Sequence, residues 1–199
     1  HSAFAMTPAT VYDAIAQSAA RWPKRPILDV LPGTAAVYGI EPGALSYGAF
    51  LSAVNTRAET LEQAGYGEGM RVAVLVENRP EFFEIFAALN RIGASIVPVN
   101  PELRAAELEY LIGHAEPALI IALPSRHDEL REACRQAGVI ASVIDSADIP
   151  TPPRPNAVVA ENKSGDAREA AVLYTSGTTG NPKGCVLPNA YFLLAGRWY

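Results

Sequence analysis

No cluster of lysine or arginine, no spaced set of cysteines and no long apolar run occurs in this chain of 199 residues, and each absence removes a class of function. Sixteen basic side chains against twenty-one acidic ones leave a formal charge of −5. Binding to nucleic acid rests on neutralising many phosphates at once, so a nucleic-acid surface is excluded and any phosphate ligand has to be held locally. Cys134 and Cys185 lie far apart with no partner pattern, which argues against a disulfide framework or a zinc site and points to a reducing, cytoplasmic setting. An uninterrupted apolar run of about 18 residues, the minimum for a membrane-spanning helix, is missing. The first residues also lack a charged segment followed by an apolar core, so no export signal is predicted. Residues 1–6 read as a tag remnant or a frayed start, and His1 takes no role. His114 and His127 are isolated in sequence and read as solvated or capping groups, without catalysis.

The remaining composition is 49% apolar and 19% charged, enough to bury a sizeable core. Thr7-Pro8, followed by Val11, Ile15 and Ala19 on one face, predicts a capped surface helix that stops before Pro23. A short apolar run at residues 27–31 ends at Pro32-Gly33, and residues 37–46 read as a two-stranded excursion turning at Glu41-Pro42-Gly43. After Tyr47 a helix carries Phe50, Leu51, Val54, Ala58 and Leu61 on one stripe and closes at Gly65. Gly65, Gly67 and Gly69 follow a helix and precede a strand, the reverse of a dinucleotide-binding turn, and are turn glycines. The β-branched run at 71–76 has the character of a strand buried on both faces. Pro80 opens a helix whose Phe82, Phe83, Phe86 and Leu89 are assigned to the core. Strands at 95–99, 118–123 and 139–144 then alternate with helices at 105–114 and 128–136. This alternation predicts a doubly wound, mostly parallel α/β sheet flanked by helices. Residues 146–165, with Pro150, Pro152, Pro153 and Pro155, form a linker within that domain, because the strand at 170–174 still needs a sheet to join.

That last strand empties into Tyr174-Thr175-Ser176-Gly177-Thr178-Thr179-Gly180-Asn181-Pro182-Lys183-Gly184. Glycines leave backbone N–H groups unshielded, the hydroxyls add donors and Lys183 adds a full charge, a combination suited to cradling a polyphosphate. The Walker spacing is not met, since Pro182 stands five residues after Gly177.

As a whole the string resembles the phosphate-loop signature of the adenylate-forming superfamily, which comprises acyl- and aryl-CoA synthetases, luciferases and the adenylation domains of peptide synthetases. Residues 45–65, 69–89 and 93–101 are similar to the same family in the same order. The resemblance implies that residues 7–199 form the N-terminal α/β portion of the large AMP-binding domain, truncated before the later motifs and the C-terminal domain. It implies ATP, magnesium and coenzyme A as cofactors and co-substrates, and a carboxylic acid as partner. Thr175, Ser176, Gly177, Thr178, Thr179 and Lys183 would hold the β- and γ-phosphates, with Lys183 stabilising charge, while Gly180 and Gly184 would let the loop move. No metal ligand is identified. Many members follow the loop with a Ser/Thr-His pair; here Val186-Leu187-Pro188-Asn189 stands instead, and no histidine role carries over. The implied activity is an acid–thiol ligase. Its alternatives are an adenylation domain that loads a carrier protein, or a scaffold that keeps the loop without turnover. Apolar surface around residues 191–199 would favour self-association.

Overall fold

A computed structural model describes residues 7–145, 149–152, 165–175 and 183–197. Its centre is β3 (Arg71–Leu75), whose Val72, Ala73, Val74 and Leu75 are all at most 1% exposed. Side chains alternate across a strand, so Val72 and Val74 enter one core layer and Ala73 and Leu75 the other. The first layer is closed by α3 (Tyr47–Ala64) and α4 (Pro80–Arg91), the second by α5 (Ala105–Ala115) and α6 (His127–Ala137).

The main sheet has six strands in the order β6, β5, β3, β4, β7, β8. They are β4 (Ser95–Pro98), β5 (Leu119–Ala122), β6 (Ser142–Ile144), β7 (Glu169–Thr175) and β8 (Lys183–Pro188), beside β3. All pair in parallel except β8, which runs antiparallel to β7. From β3 the chain steps to one side for β4 and crosses back to the other side for β5. This reversal opens a crevice beyond the C-terminal ends of the two strands, where doubly wound sheets bind ligands.

Four expectations need correction. The first helix, α1 (Val11–Arg21), is capped by Thr10, not Thr7: Thr10 Oγ1 accepts from Asp13 N (3.1 Å) and Asp13 Oδ2 from Thr10 N (3.0 Å). Pro32-Gly33 does follow the end of the apolar run, and it also starts an unforeseen helix, α2 (Pro32–Tyr38), with proline pre-set for the first helical turn and Gly39 closing it in the left-handed region. The strand β2 (Gly43–Ser46) consequently pairs with β1 (Pro26–Val30) and not with residues 37–40. Lys183 and Gly184, assigned to the loop, begin β8, and the chain turns helical only at α7 (Asn189–Ala195). Phe83 is 46% exposed and faces the crevice instead of the core. The Tyr47 helix is as expected, ending at Gly65, whose φ of 102° suits a residue without Cβ.

Two polar ties hold these layers. The first closes α1 against the end of the described chain. Asn189, fully buried, accepts at Oδ1 from Val11 N (3.0 Å) and Asn90 Nδ2 (2.8 Å) and donates through Nδ2 to Arg168 O (3.2 Å). Asn90 Oδ1 in turn accepts from Tyr12 N at 2.9 Å. The early N–H groups of α1, which have no intrahelical acceptor, are thus satisfied from α4 and α7. Asn189→Ala would leave Val11 N and Asn90 Nδ2 unpaired in the interior, and chemical denaturation should show a loss of about 2–3 kcal/mol.

The second tie joins the N-terminal ends of three neighbouring strands. Glu169 receives Arg71 Nε at 2.8 Å and Nη2 at 3.0 Å, and Ser95 Oγ at 2.6 Å. Burial pushes the Glu169 carboxyl up, but the hydrogen bonds from Arg71 and Ser95 and the Arg71 charge outweigh it and hold it below the ordinary glutamate value. Because the folded value is the lower one, this stabilisation is complete above the unfolded glutamate range and is lost as pH falls through the folded value. Glu169→Gln should therefore cost about 2 kcal/mol at neutral pH, with a smaller penalty in acid; urea melts at several pH values check both.

Candidate functional site

At the C-terminal ends of β3, β4 and β7 the crevice opens as a cleft of about 600 Å³, walled by Val74, Phe83, Pro98 and Leu173 and reached by Glu77 and Thr175. Glu77 holds φ at 61°, a left-handed backbone that costs a non-glycine residue about 1–2 kcal/mol. The cleft is largely apolar, with polar groups at its lip.

Thr175 lines the cleft, and Lys183 is its cross-strand partner in the β7–β8 ladder; both are exposed. Directly opposed residues of an antiparallel pair have Cα atoms about 4.5–5.5 Å apart. The two ends of the residue 176–182 segment are therefore fixed side by side, with a hydroxyl on one and an ammonium on the other. Ser176, Gly177, Thr178, Thr179 and Gly180 lie outside the described residues. Among the predicted site residues, the structure brings Thr175, Lys183 and Gly184 together.

Gly184 has a reason to be glycine other than loop movement. It pairs with Tyr174, and a Cβ there would sit 3.1 Å from Tyr174 Cε1 and Cζ and 3.2 Å from His114 Cε1. Those two rings are locked together: Tyr174 OH lies 2.6 Å from His114 Nδ1, and the rings meet edge to face with centroids 5.6 Å apart. His114 also stacks on Tyr110, one helical turn earlier, at 5.9 Å. His114 is thus a partner of the predicted loop and not merely a solvated helix end. The signal available for it was its i, i+4 spacing from Tyr110. Burial pushes the Tyr174 phenol up, so the hydroxyl keeps its proton. His127, by contrast, meets a backbone carbonyl, Ala122 O, at 3.0 Å through Nε2.

Among the described residues no group of three or more His, Cys, Asp or Glu side chains is placed to hold a metal ion. Both cysteines are free thiols, Cys134 buried and Cys185 exposed. No helix among the described residues is long and apolar enough to cross a membrane.

Gly184→Ala tests the packing on the hairpin. The added methyl has to move two rings that are hydrogen-bonded to each other, and overpacking of this kind costs about 1–2 kcal/mol. A lowered denaturation midpoint is expected, with the β3 core retained.

The sequence profile described as "AMP-binding enzyme" matches residues 15–198. A sulfoacetate–CoA ligase from Cupriavidus necator is 30% identical over 183 residues, covering 87% of this chain and 33% of the relative. The hybrid PKS-NRPS synthetase thnA from Trichoderma harzianum is 34% identical over 148 residues, covering 72% of this chain and 3% of the relative. Among solved structures, VinN in complex with 3-methylaspartate has a TM-score of 0.73 at 22% identity, covering 94% of this chain and 50% of that one. The chain therefore spans about a third of the length of the ligase and half of VinN.

Proposed function

This chain belongs to the family of AMP-binding enzymes, and on that premise we propose that it is the N-terminal, nucleotide-phosphate-holding part of an ATP-dependent acyl- or aryl-CoA ligase. The observation that carries the proposal is the pairing of Lys183 across the β7–β8 ladder with Thr175, which lines the switch-point cleft. It supports the reading because the two described ends of the motif, Thr175 and Lys183, meet at the C-terminal end of β7, on the side of the sheet where doubly wound folds receive ligands.

In the proposed reaction a carboxylate oxygen of the acid attacks the α-phosphorus of ATP, and the bond to pyrophosphate breaks, giving an acyl-adenylate. The thiol of coenzyme A then bonds to the acyl carbon and AMP departs with the electron pair of the broken C–O bond. Negative charge grows on pyrophosphate as the first bond breaks. In this reading Lys183 and the hydroxyls of Thr175, Ser176, Thr178 and Thr179 would serve as donors for that charge, with Gly177 and Gly180 chosen for unshielded backbone N–H groups. Lys183 therefore contributes more in the transition state than in the ATP complex. Magnesium, when bound, would neutralise part of the phosphate charge; among the described residues no group of three or more His, Cys, Asp or Glu side chains is placed to hold it.

A carrier-protein thiol in place of coenzyme A is the second reading, favoured by the 34% identity to a hybrid PKS-NRPS synthetase. The free thiols fit a reducing, cytoplasmic setting. Val186, Tyr191 and Leu194, large and more than half exposed, form the surface that the remainder of the ligase would cover, and through which the chain alone would self-associate.

The test uses the ligase that contains this chain. Lys183→Ala should slow ATP–pyrophosphate exchange by about a hundredfold while weakening ATP binding much less. Equal losses in both, or none in either, would falsify the role. The 199-residue chain mixed with ATP, magnesium, coenzyme A and a panel of carboxylic acids should form no thioester above background; sustained formation would show a complete site within it.

A further inference from the structure

The strand that leads into the candidate phosphate loop is weakly held where it matters most. β7 is laddered to β4 at one residue pair, Ile96 with Ala171. Val172 is still buried in the core, but Leu173, Tyr174 and Thr175 continue past it, and on their other side β8 is, among the described residues, an edge strand. A two-stranded ribbon without further neighbours is at best marginally ordered in water. The outer half of this hairpin, with both ends of the loop, therefore needs another anchor.

Tyr174 supplies one. Its ring lies across Gly184 on the partner strand, so it grips both arms of the hairpin, and its hydroxyl meets His114 Nδ1 at 2.6 Å. His114 sits on α5, whose Leu108, Leu111, Ile112 and Ala115 are buried in the second core layer. The fixed point is thus a helix packed on the sheet, and His114 is steadied further by stacking on Tyr110.

We propose that Tyr174 and His114 are positioning residues for the phosphate loop, a hydrogen-bonded tether from α5 that fixes where Thr175 and Lys183 present their hydroxyl and ammonium. The proposal rests on the phosphate-loop reading above. Neither residue touches phosphate; both act through the hairpin. Misplacement of a reacting group by about 1 Å can cost a hundredfold in rate, so a tether here has leverage. With Nδ1 unprotonated the phenol donates, and its raised pKa keeps the donor proton in place.

Hydrogen–deuterium exchange on this chain decides the tether. In Tyr174→Phe and His114→Ala, amides of residues 173–175 and 183–186 should lose protection while those of β3 and β4 keep theirs. His114→Asn, whose amide oxygen takes nearly the place of Nδ1, should restore part of it. Unchanged protection in the outer hairpin, or a uniform loss across the sheet, overturns the proposal. Calorimetry with MgATP then reads the consequence: Tyr174→Phe should weaken binding about fivefold, the scale of one net hydrogen bond. If Lys183→Ala weakens binding and Tyr174→Phe does not, the positioning role is wrong and the phosphate reading stands. If Lys183→Ala changes neither MgATP binding nor ATP–pyrophosphate exchange in the ligase, the phosphate reading fails and takes the positioning role with it.

Discussion

Burial of β3 on both faces is the constraint from which the rest of the architecture follows. A strand with apolar residues at four successive positions, Val72 to Leu75, cannot lie on the surface, so it needs strand neighbours on both edges and helices on both faces. The chain meets this by placing β4 on one side of β3 and β5 on the other, which requires crossovers on opposite faces. The crevice at the C-terminal ends is a by-product of that reversal. Covering the most apolar strand and creating a place for a ligand are one structural event here.

Periodicity carried most of this into view. The continuous run at residues 71–75, the stripe on α3 and the alternation of strand and helix are repeated signals, each enforced by several buried side chains. Where burial was slight, the signal failed. α2 buries only Ala35 and β8 only Leu187, so neither imposes a pattern on its neighbours. Gly184 and Pro188 further disguised β8, and its strand character comes from hydrogen bonding to β7 rather than from its own composition. Phe83 has the spacing of a core residue, yet it looks into a cleft that forms only when three strand ends are assembled.

The polar ties were hidden for a different reason. Arg71, Ser95 and Glu169 are remote in sequence and meet because three parallel strands start at the same level. Asn90 and Asn189 are likewise separated by most of the chain, and their job is to terminate a helix whose own cap looked self-sufficient. Tyr174 and His114 join this group. In each case specificity resides in a hydrogen bond between residues that no local pattern links, and for the buried Asn90–Asn189 pair an unmet partner would be costly because the low-dielectric interior offers no water in exchange. Of the candidate site, sequence showed the motif and its cation; the partner on α5 became visible only through the fold.

One consequence of the antiparallel return of β8 concerns how such a site can change over evolutionary time. Because Thr175 and Lys183 are paired across a ladder, the separation of the two stems does not depend on how many residues connect them. Closure entropy grows only slowly with length, by about 0.6 kcal/mol per doubling. Insertions, deletions and exchanges in the connecting segment can therefore remodel reach and charge while leaving the sheet's accounting of hydrogen bonds untouched. The hairpin works as a socket: selection can vary what is mounted in it at little risk to the foundation beneath.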